Sequence, residues 1–304
     1  MKKYTIAAAI LLFVSCTKES NNLLPKPSRT VSDSLLVYQV NSTNGNGAIF
    51  SKNFTRGDSN LLVSNATMPY VASQRMVYIK SGKTLGYSKL NGVSRFLFDL
   101  NAPTNPCLSV DARLICVVDK TIDQYQLLVM DTLGSKTTLY QSSLEIKQPE
   151  FSTDGVSIFF SQKNSTGDFA IYKISSGGGT PTQVIMPDAG VNYTDCAATT
   201  DRLYFLQSRT VSGKFSTEIC SVNLTGGDFK KHTDFTVNWT TPGFAIQNLR
   251  KVNNSTLIFV SEYGSSNKEI FLAKVDNLSY HSRITYTDNY ESYPNLIPTF
   301  VKDF

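Results

Sequence analysis

The sequence predicts an all-β fold: a six-bladed β-propeller of four-stranded antiparallel blades. Three observations carry the prediction. A strand–turn–strand unit recurs along the chain, apolar strands alternate with Gly-, Asn- and Asp-rich breaks, and no long stretch shows helical periodicity. The unit is clearest at "QPEFSTDGVSIFFSQ", from Gln148. Further copies led by a proline start at Met68, Asn105 and Tyr293, and two without it start at Tyr193 and Ile246. Their spacing runs from the high thirties to the low fifties of residues, which is the length a four-stranded blade requires.

Within each unit the elements follow in order. The proline lacks an N–H and presets φ, so it is expected at the first residue of a strand. A turn comes next, as at Thr153-Asp154-Gly155, Asp111-Ala112, Thr200-Asp201 and Asn253-Asn254. An apolar strand follows, such as "SIFFSQ", "LICVVD", "RLYFLQS" or "TLIFVSE". A polar loop leads to a third strand, as in "FAIYKI" or "EIFLAKV", and a second turn to a short fourth, as in "TPTQVI" or "KTTLYQ". Aromatic and β-branched residues suit the pleated strands, and Gly, Asn and Asp suit the turns.

The two ends of the repeat region predict closure. Residues 35–65 supply only three strands of a blade, and the missing innermost one appears at the C-terminus as "YPNLIPTF". The last strand is therefore expected to complete the first blade, which removes the open edges of the ring. A propeller over residues 34–304 results, closed on itself and expected to be a monomer.

In the copy at Gln148, Pro149, Phe151, Ser152, Asp154, Gly155, Ile158, Phe160, Ile171, Tyr172 and Gly177 fall where the repeats of TolB-like propellers place such residues. The chain resembles that family over residues 35–304, with Thr153 in place of the motif's second proline. The resemblance implies a six-bladed ring. It does not imply an activity, because the motif serves blade packing. The short segment before the first strand leaves no room for the extra α/β domain of enteric TolB.

"MKKYTIAAAILLFVSC" opens the chain with two lysines and an apolar run from Tyr4 to Val14, too short for a resident membrane span. Phe13-Val14-Ser15-Cys16 resembles a bacterial lipobox, with a small residue before the cysteine. The resemblance implies a signal peptide over residues 1–15, cleavage before Cys16 and lipidation of its sulfur. Residues 16–33 then read as a flexible tether, with Pro25 and Pro27 among small polar residues. Thr17 follows Cys16, so the aspartate that retains enteric lipoproteins in the inner membrane is absent. Lys18-Glu19 resembles the charged stretch of surface-exported Bacteroidetes lipoproteins. The expected place is the outer membrane, facing the periplasm or the surface.

Loss of residues 1–15 removes two lysines and no acids, leaving 27 basic against 24 acidic residues. No basic block remains, which excludes nucleic acid as a partner class. Catalytic motifs are missing: there is no G-x-S-x-G elbow, no H-E-x-x-H and no cofactor signature. His232 and His281 fall in predicted outer strands and are expected at the surface. Cys107 and Cys116 flank one turn and are expected as buried thiols rather than a bridge, because cross-strand disulfide geometry is demanding. The remaining candidate is the face formed by the loops that enter the innermost strands. It carries Tyr193, Asp195, Trp239, Asn248, Tyr290, Glu291 and Tyr293. Rings beside carboxylates and amides suit a glycan, a peptide or a partner protein. The expected function is thus a membrane-anchored binding or scaffold propeller. A catalytic alternative, a lyase or lactonase-like hydrolase, would need three or more convergent metal ligands, for which Asp195, Glu291 and Asn248 are the candidates.

Overall fold

A computed structural model describes residues 34–41, 47–54, 57–90, 94–211, 214–233, 245–262, 267–287 and 289–298. Strands come in chain order. The first three are β1 (Ser34–Asn41), β2 (Gly47–Asn53) and β3 (Ser59–Ser64). The second blade is β4 (Ala66–Ala72), β5 (Arg75–Lys80), β6 (Thr84–Lys89) and β7 (Ser94–Asp99). The third is β8 (Pro103–Leu108), β9 (Leu114–Lys120), β10 (Tyr125–Asp131) and β11 (Lys136–Ser142). The fourth is β12 (Ile146–Phe151), β13 (Ser157–Lys163), β14 (Phe169–Ser175) and β15 (Thr182–Ile185). The fifth is β16 (Val191–Ala198), β17 (Arg202–Val211), β18 (Lys214–Asn223) and β19 (Lys230–Lys231). The sixth is β20 (Ile246–Asn253), β21 (Thr256–Ser261), β22 (Glu269–Lys274) and β23 (Asn277–Arg283).

The last strand, β24 (Tyr290–Pro298), pairs antiparallel with β1, so the first blade runs β24-β1-β2-β3. The predicted six four-stranded sheets and the closure by the C-terminal strand are both present. Each blade buries both faces of its middle strands against its neighbours, which is why "LICVV" and "IFFS" read as continuous apolar runs. The core is correspondingly divided into clusters that each lie between adjacent blades. One joins Cys107, Val118 and Leu127 of the third blade to Phe151, Ile158 and Phe160 of the fourth.

The turn after each inner strand has a shared chemistry in three blades. Ser109, Ser152 and Thr199 donate their hydroxyls to Asp111, Asp154 and Asp201, and the same oxygens accept the N–H of Leu114, Ser157 and Arg202. The S/T-x-D pattern therefore holds its hairpin by side chain-to-backbone bonds.

The prolines are not strand-leading. Pro69, Pro106, Pro149 and Pro294 sit inside β4, β8, β12 and β24, at a break in register with the neighbouring strand. A bulge removes the ladder bond that a proline could not donate. The residue before each proline takes a left-handed φ: Met68 +54°, Asn105 +49°, Gln148 +50° and Tyr293 +49°. Asp195 (+54°) and Asn248 (+54°) occupy the same place in the two blades without a proline. Every inner strand thus carries one left-handed bulge.

His281 also departs from expectation. It is buried, with its ring set edge-on to Phe259 and Phe271 at 6.0 and 5.6 Å. Burial lowers its pKa, so it serves as a neutral core ring. His232 is half-buried and shares a 2.7 Å hydrogen bond with Ser221. Cys107 and Cys116 are direct register partners, and all four described cysteines are buried free thiols.

Candidate functional site

The six bulges form a belt around the mouth of the channel. At four of the six junctions the side chain of one bulge accepts the backbone N–H of the next. Asp195 N–H donates to Gln148 Oε1 at 3.0 Å, Asn248 N–H to Asp195 Oδ2 at 3.0 Å, and Tyr293 N–H to Asn248 Oδ1 at 3.1 Å. Asn105 N–H reaches Met68 Sδ at 3.3 Å, and Met68 N–H turns to Gln39 Oε1 of β1 at 2.7 Å. Gln148 also donates its amide to Asp195 Oδ1. The left-handed φ turns the N–H of Met68, Asn105, Asp195, Asn248 and Tyr293 out of its ladder and towards the neighbouring blade. Such bonds satisfy donors that the bulge would otherwise leave buried.

Below the belt the channel is spanned from side to side. Tyr70 of the second blade donates to both carboxylate oxygens of Glu150 in the fourth, at 3.1 and 2.9 Å. The Arg250 guanidinium of the sixth blade stacks over the Tyr70 ring, 4.6 Å from its centre. These three side chains come from alternate blades. Lys251 adds a further link to Thr153 at 3.0 Å, and Asn295 joins the first blade to the Pro69 carbonyl of the second at 2.9 Å.

Burial dominates the electrostatics here. It raises the pKa of Glu150 against the pull of Lys251 and Arg250. It lifts Asp195 to about 6, opposed by Arg250 and by the Asn248 N–H. The thiol of Cys196 is pushed up by burial and by the Glu150 and Asp195 charges, which leaves it inert. Between Asn105, Gln148, Glu150, Asp195, Asn248, Arg250 and Tyr293 a cavity of ≈ 20 Å³ remains. That is room for about one water molecule.

Of the predicted site residues, Asp195, Asn248 and Tyr293 come together in the belt. Tyr193 lies two residues before the bulge and is 6% exposed, packed edge-on to Phe205 at 4.9 Å in the core between blades. Tyr290 stands at the rim, 51% exposed. Glu291 is buried away from the cavity, where its carboxylate accepts from Thr287 at 3.2 Å. Trp239 and Cys16 lie outside the described residues. Sequence reasoning missed Tyr70, Gln148, Glu150 and Arg250. A signal did exist: the residue before the repeated proline aligns with Asp195 and Asn248, which marks Met68, Asn105 and Gln148 as members of the same ring. Among the described residues, no three His, Cys, Asp or Glu side chains group as metal ligands would.

The outer rim differs from the channel. Ile122, Leu144, Met186 and Tyr286 are exposed on the loops that surround the belt, and Tyr290 is exposed at the start of β24. Arg283 stacks on Tyr286 at 4.4 Å.

The chain is similar in fold to several solved propellers. TolB from Acinetobacter baumannii superposes with a TM-score of 0.70 at 11% identity, over 91% of this chain and 68% of that one. A chain of a nidogen/laminin complex gives 0.66 at 10% identity, over 86% and 98%. Oligogalacturonate lyase in complex with manganese gives 0.56 at 12% identity, over 88% and 77%. No protein-family model and no curated protein matches the sequence. At these identities the likeness is one of architecture, and the architecture is a six-bladed β-propeller.

Proposed function

We propose that the chain is a binding or scaffold propeller of the cell envelope that holds a peptide or partner protein on its loop face. The supporting observation is the closed channel. Most of its described polar groups bond to one another, with Arg250 Nε left unpaired, and the ≈ 20 Å³ cavity that the described residues leave at its mouth admits no sugar ring. Recognition is thereby left to the rim, where Tyr286 and Tyr290 are 55% and 51% exposed. Exposed tyrosines with an arginine alongside are the residue types that anchor protein interfaces. The outer-membrane anchor proposed here is the lipid on Cys16, with residues 16–33 as its tether. Labelled fatty acid should enter the wild-type protein in cells and should not enter Cys16→Ala.

The immobilised protein, incubated with envelope extract and in parallel with a glycan array, tests the reading. It should retain a polypeptide that prior protease treatment of the extract abolishes. Retention of defined glycans with no polypeptide would overturn it.

A further inference from the structure

The place two residues before each bulge is buried in all six blades. Ala66, Pro103, Ile146, Tyr193 and Ile246 fill it with apolar bulk in five, and Glu291 fills it in the ring-closing strand β24. A carboxylate at a packing position, on the strand whose pairing shuts the ring, calls for a reason. Glu291 is 1% exposed. Its Oε1 accepts from Thr287 Oγ1 at 3.2 Å, the Thr285 hydroxyl that donates to Glu269 lies alongside, and its Oε2 has no hydrogen bond of good geometry among the described residues.

The groups around it compensate a charge only in part: the Thr285 and Thr287 hydroxyls and Lys52 favour it, against burial and a second carboxylate. From β22, Glu269 presents a second buried carboxylate. The Arg283 guanidinium of β23 is engaged with Glu269 at 2.5 Å, and the Thr285 hydroxyl donates to Glu269 at 2.7 Å. Lys268 offers Glu291 only its carbonyl, at 3.3 Å, while its ammonium goes to Gln247 at 3.0 Å. Tyr38 of β1 faces it as a neutral phenol, and Lys52 of β2 supplies a weak attraction that ranks last among the influences on it. An ionised Glu291 would hold one oxygen unsolvated beside a like charge, which is costly.

We propose that Glu291 is a proton-operated latch of ring closure: neutral, it lets β24 seat against the sixth blade, and ionised, it loosens the seam between the last blade and the first. The pKa agrees with the geometry: burial first, opposed by the Thr285 hydroxyl, and then Glu269, opposed by Thr287 and Lys52, lift Glu291 to about 7. Its ordinary value is 4.5. The sign follows. Between these values the folded state holds a proton that the unfolded chain has released, so stability falls as pH rises from 4.5 to about 7 and is level above.

Thermal unfolding of the full chain and of Glu291→Gln at pH 5 and pH 8 tests the latch. The wild type should melt lower at pH 8 than at pH 5, and the variant should melt higher than the wild type at pH 8 and not at pH 5. Parallel profiles would overturn the proposal. Glu291→Ile, which installs the residue found in the sixth blade, should behave in the same way and serves should the glutamine fail to fold. Hydrogen exchange localises the effect. At pH 8 the amides of residues 290–298, referred to those of 146–151, should exchange at least ~10-fold more slowly in the variant than in the wild type. Equal ratios would place any stabilisation elsewhere and contradict a latch at the seam.

Discussion

The channel and the rim are built by the same inner strands and the loops that feed them, yet they treat polar groups in opposite ways. In the channel, Gln148, Asp195 and Asn248 direct their side chains at backbone N–H groups of the next blade, and Tyr70, Glu150 and Arg250 meet across the middle. At the rim, Tyr286 and Tyr290 stand half in solvent. The channel groups are engaged in holding the ring, whereas the rim groups face solvent. A row of aromatics and acids around a propeller axis therefore does not by itself mark a ligand pocket. What decides is whether those groups have already satisfied one another.

The comparison can be broken most severely at Arg250. Arg250→Leu removes one of the two cations that pull on Glu150 and leaves that buried carboxylate only Lys251 and the Tyr70 hydroxyl. A loss of about 3 kcal/mol is expected in denaturant unfolding, and a loss under 1 kcal/mol would show that the cross-channel contacts carry little.

Asp195→Ala comes next. It deletes an acceptor shared by Gln148 and Asn248, with an expected cost of about 1–3 kcal/mol. Asp195→Asn removes the titration and also turns one of the two acceptor oxygens into a donor, so its slope with pH, not its absolute stability, is the readout. The folded pKa is about 6 against an ordinary 3.8, so the native state keeps a proton that the unfolded chain loses. The Asp195 contribution therefore falls as pH rises across that window, by roughly 1.4 kcal/mol per unit at most. Stability curves of Asp195→Asn should be flatter than wild type between pH 4 and pH 6; coincident slopes would show that Asp195 titrates outside that window.

The rim should give the smallest stability effect. Tyr286→Ala with Tyr290→Ala is expected to change stability by about 0.5 kcal/mol or less per site. A loss of several kcal/mol would show that these rings support the fold rather than a partner.

Much of the architecture was legible in the sequence, for a physical reason. Blade strands impose a two-residue alternation or an apolar run, and their turns demand Gly, Asn or Asp, so "STDGVSIFF" and its relatives announce themselves locally. Closure was legible too, because β1 to β3 lacked an inner partner and "YPNLIPTF" lacked a blade. The site was harder to read. Met68, Gln148 and Tyr293 are not residues that advertise a left-handed φ, so the bulges were hidden and the prolines looked strand-leading. Tyr70 and Glu150 lie 80 residues apart, and only the closed ring brings them together. His281 was misplaced because "SYHSRI" is polar, while the side chain itself turns onto Phe259 and Phe271.

The most direct test of the division between channel and rim is partner capture from envelope extract by three forms of the protein. One is the wild type, one is Tyr286→Ala with Tyr290→Ala, and one is Asn105→Gly. The last strips a side chain from the cavity lining while glycine keeps the +49° φ without strain. The rim variant should lose the captured polypeptide and Asn105→Gly should keep it. Loss with Asn105→Gly, and retention by the rim variant, would place recognition in the channel and contradict the account.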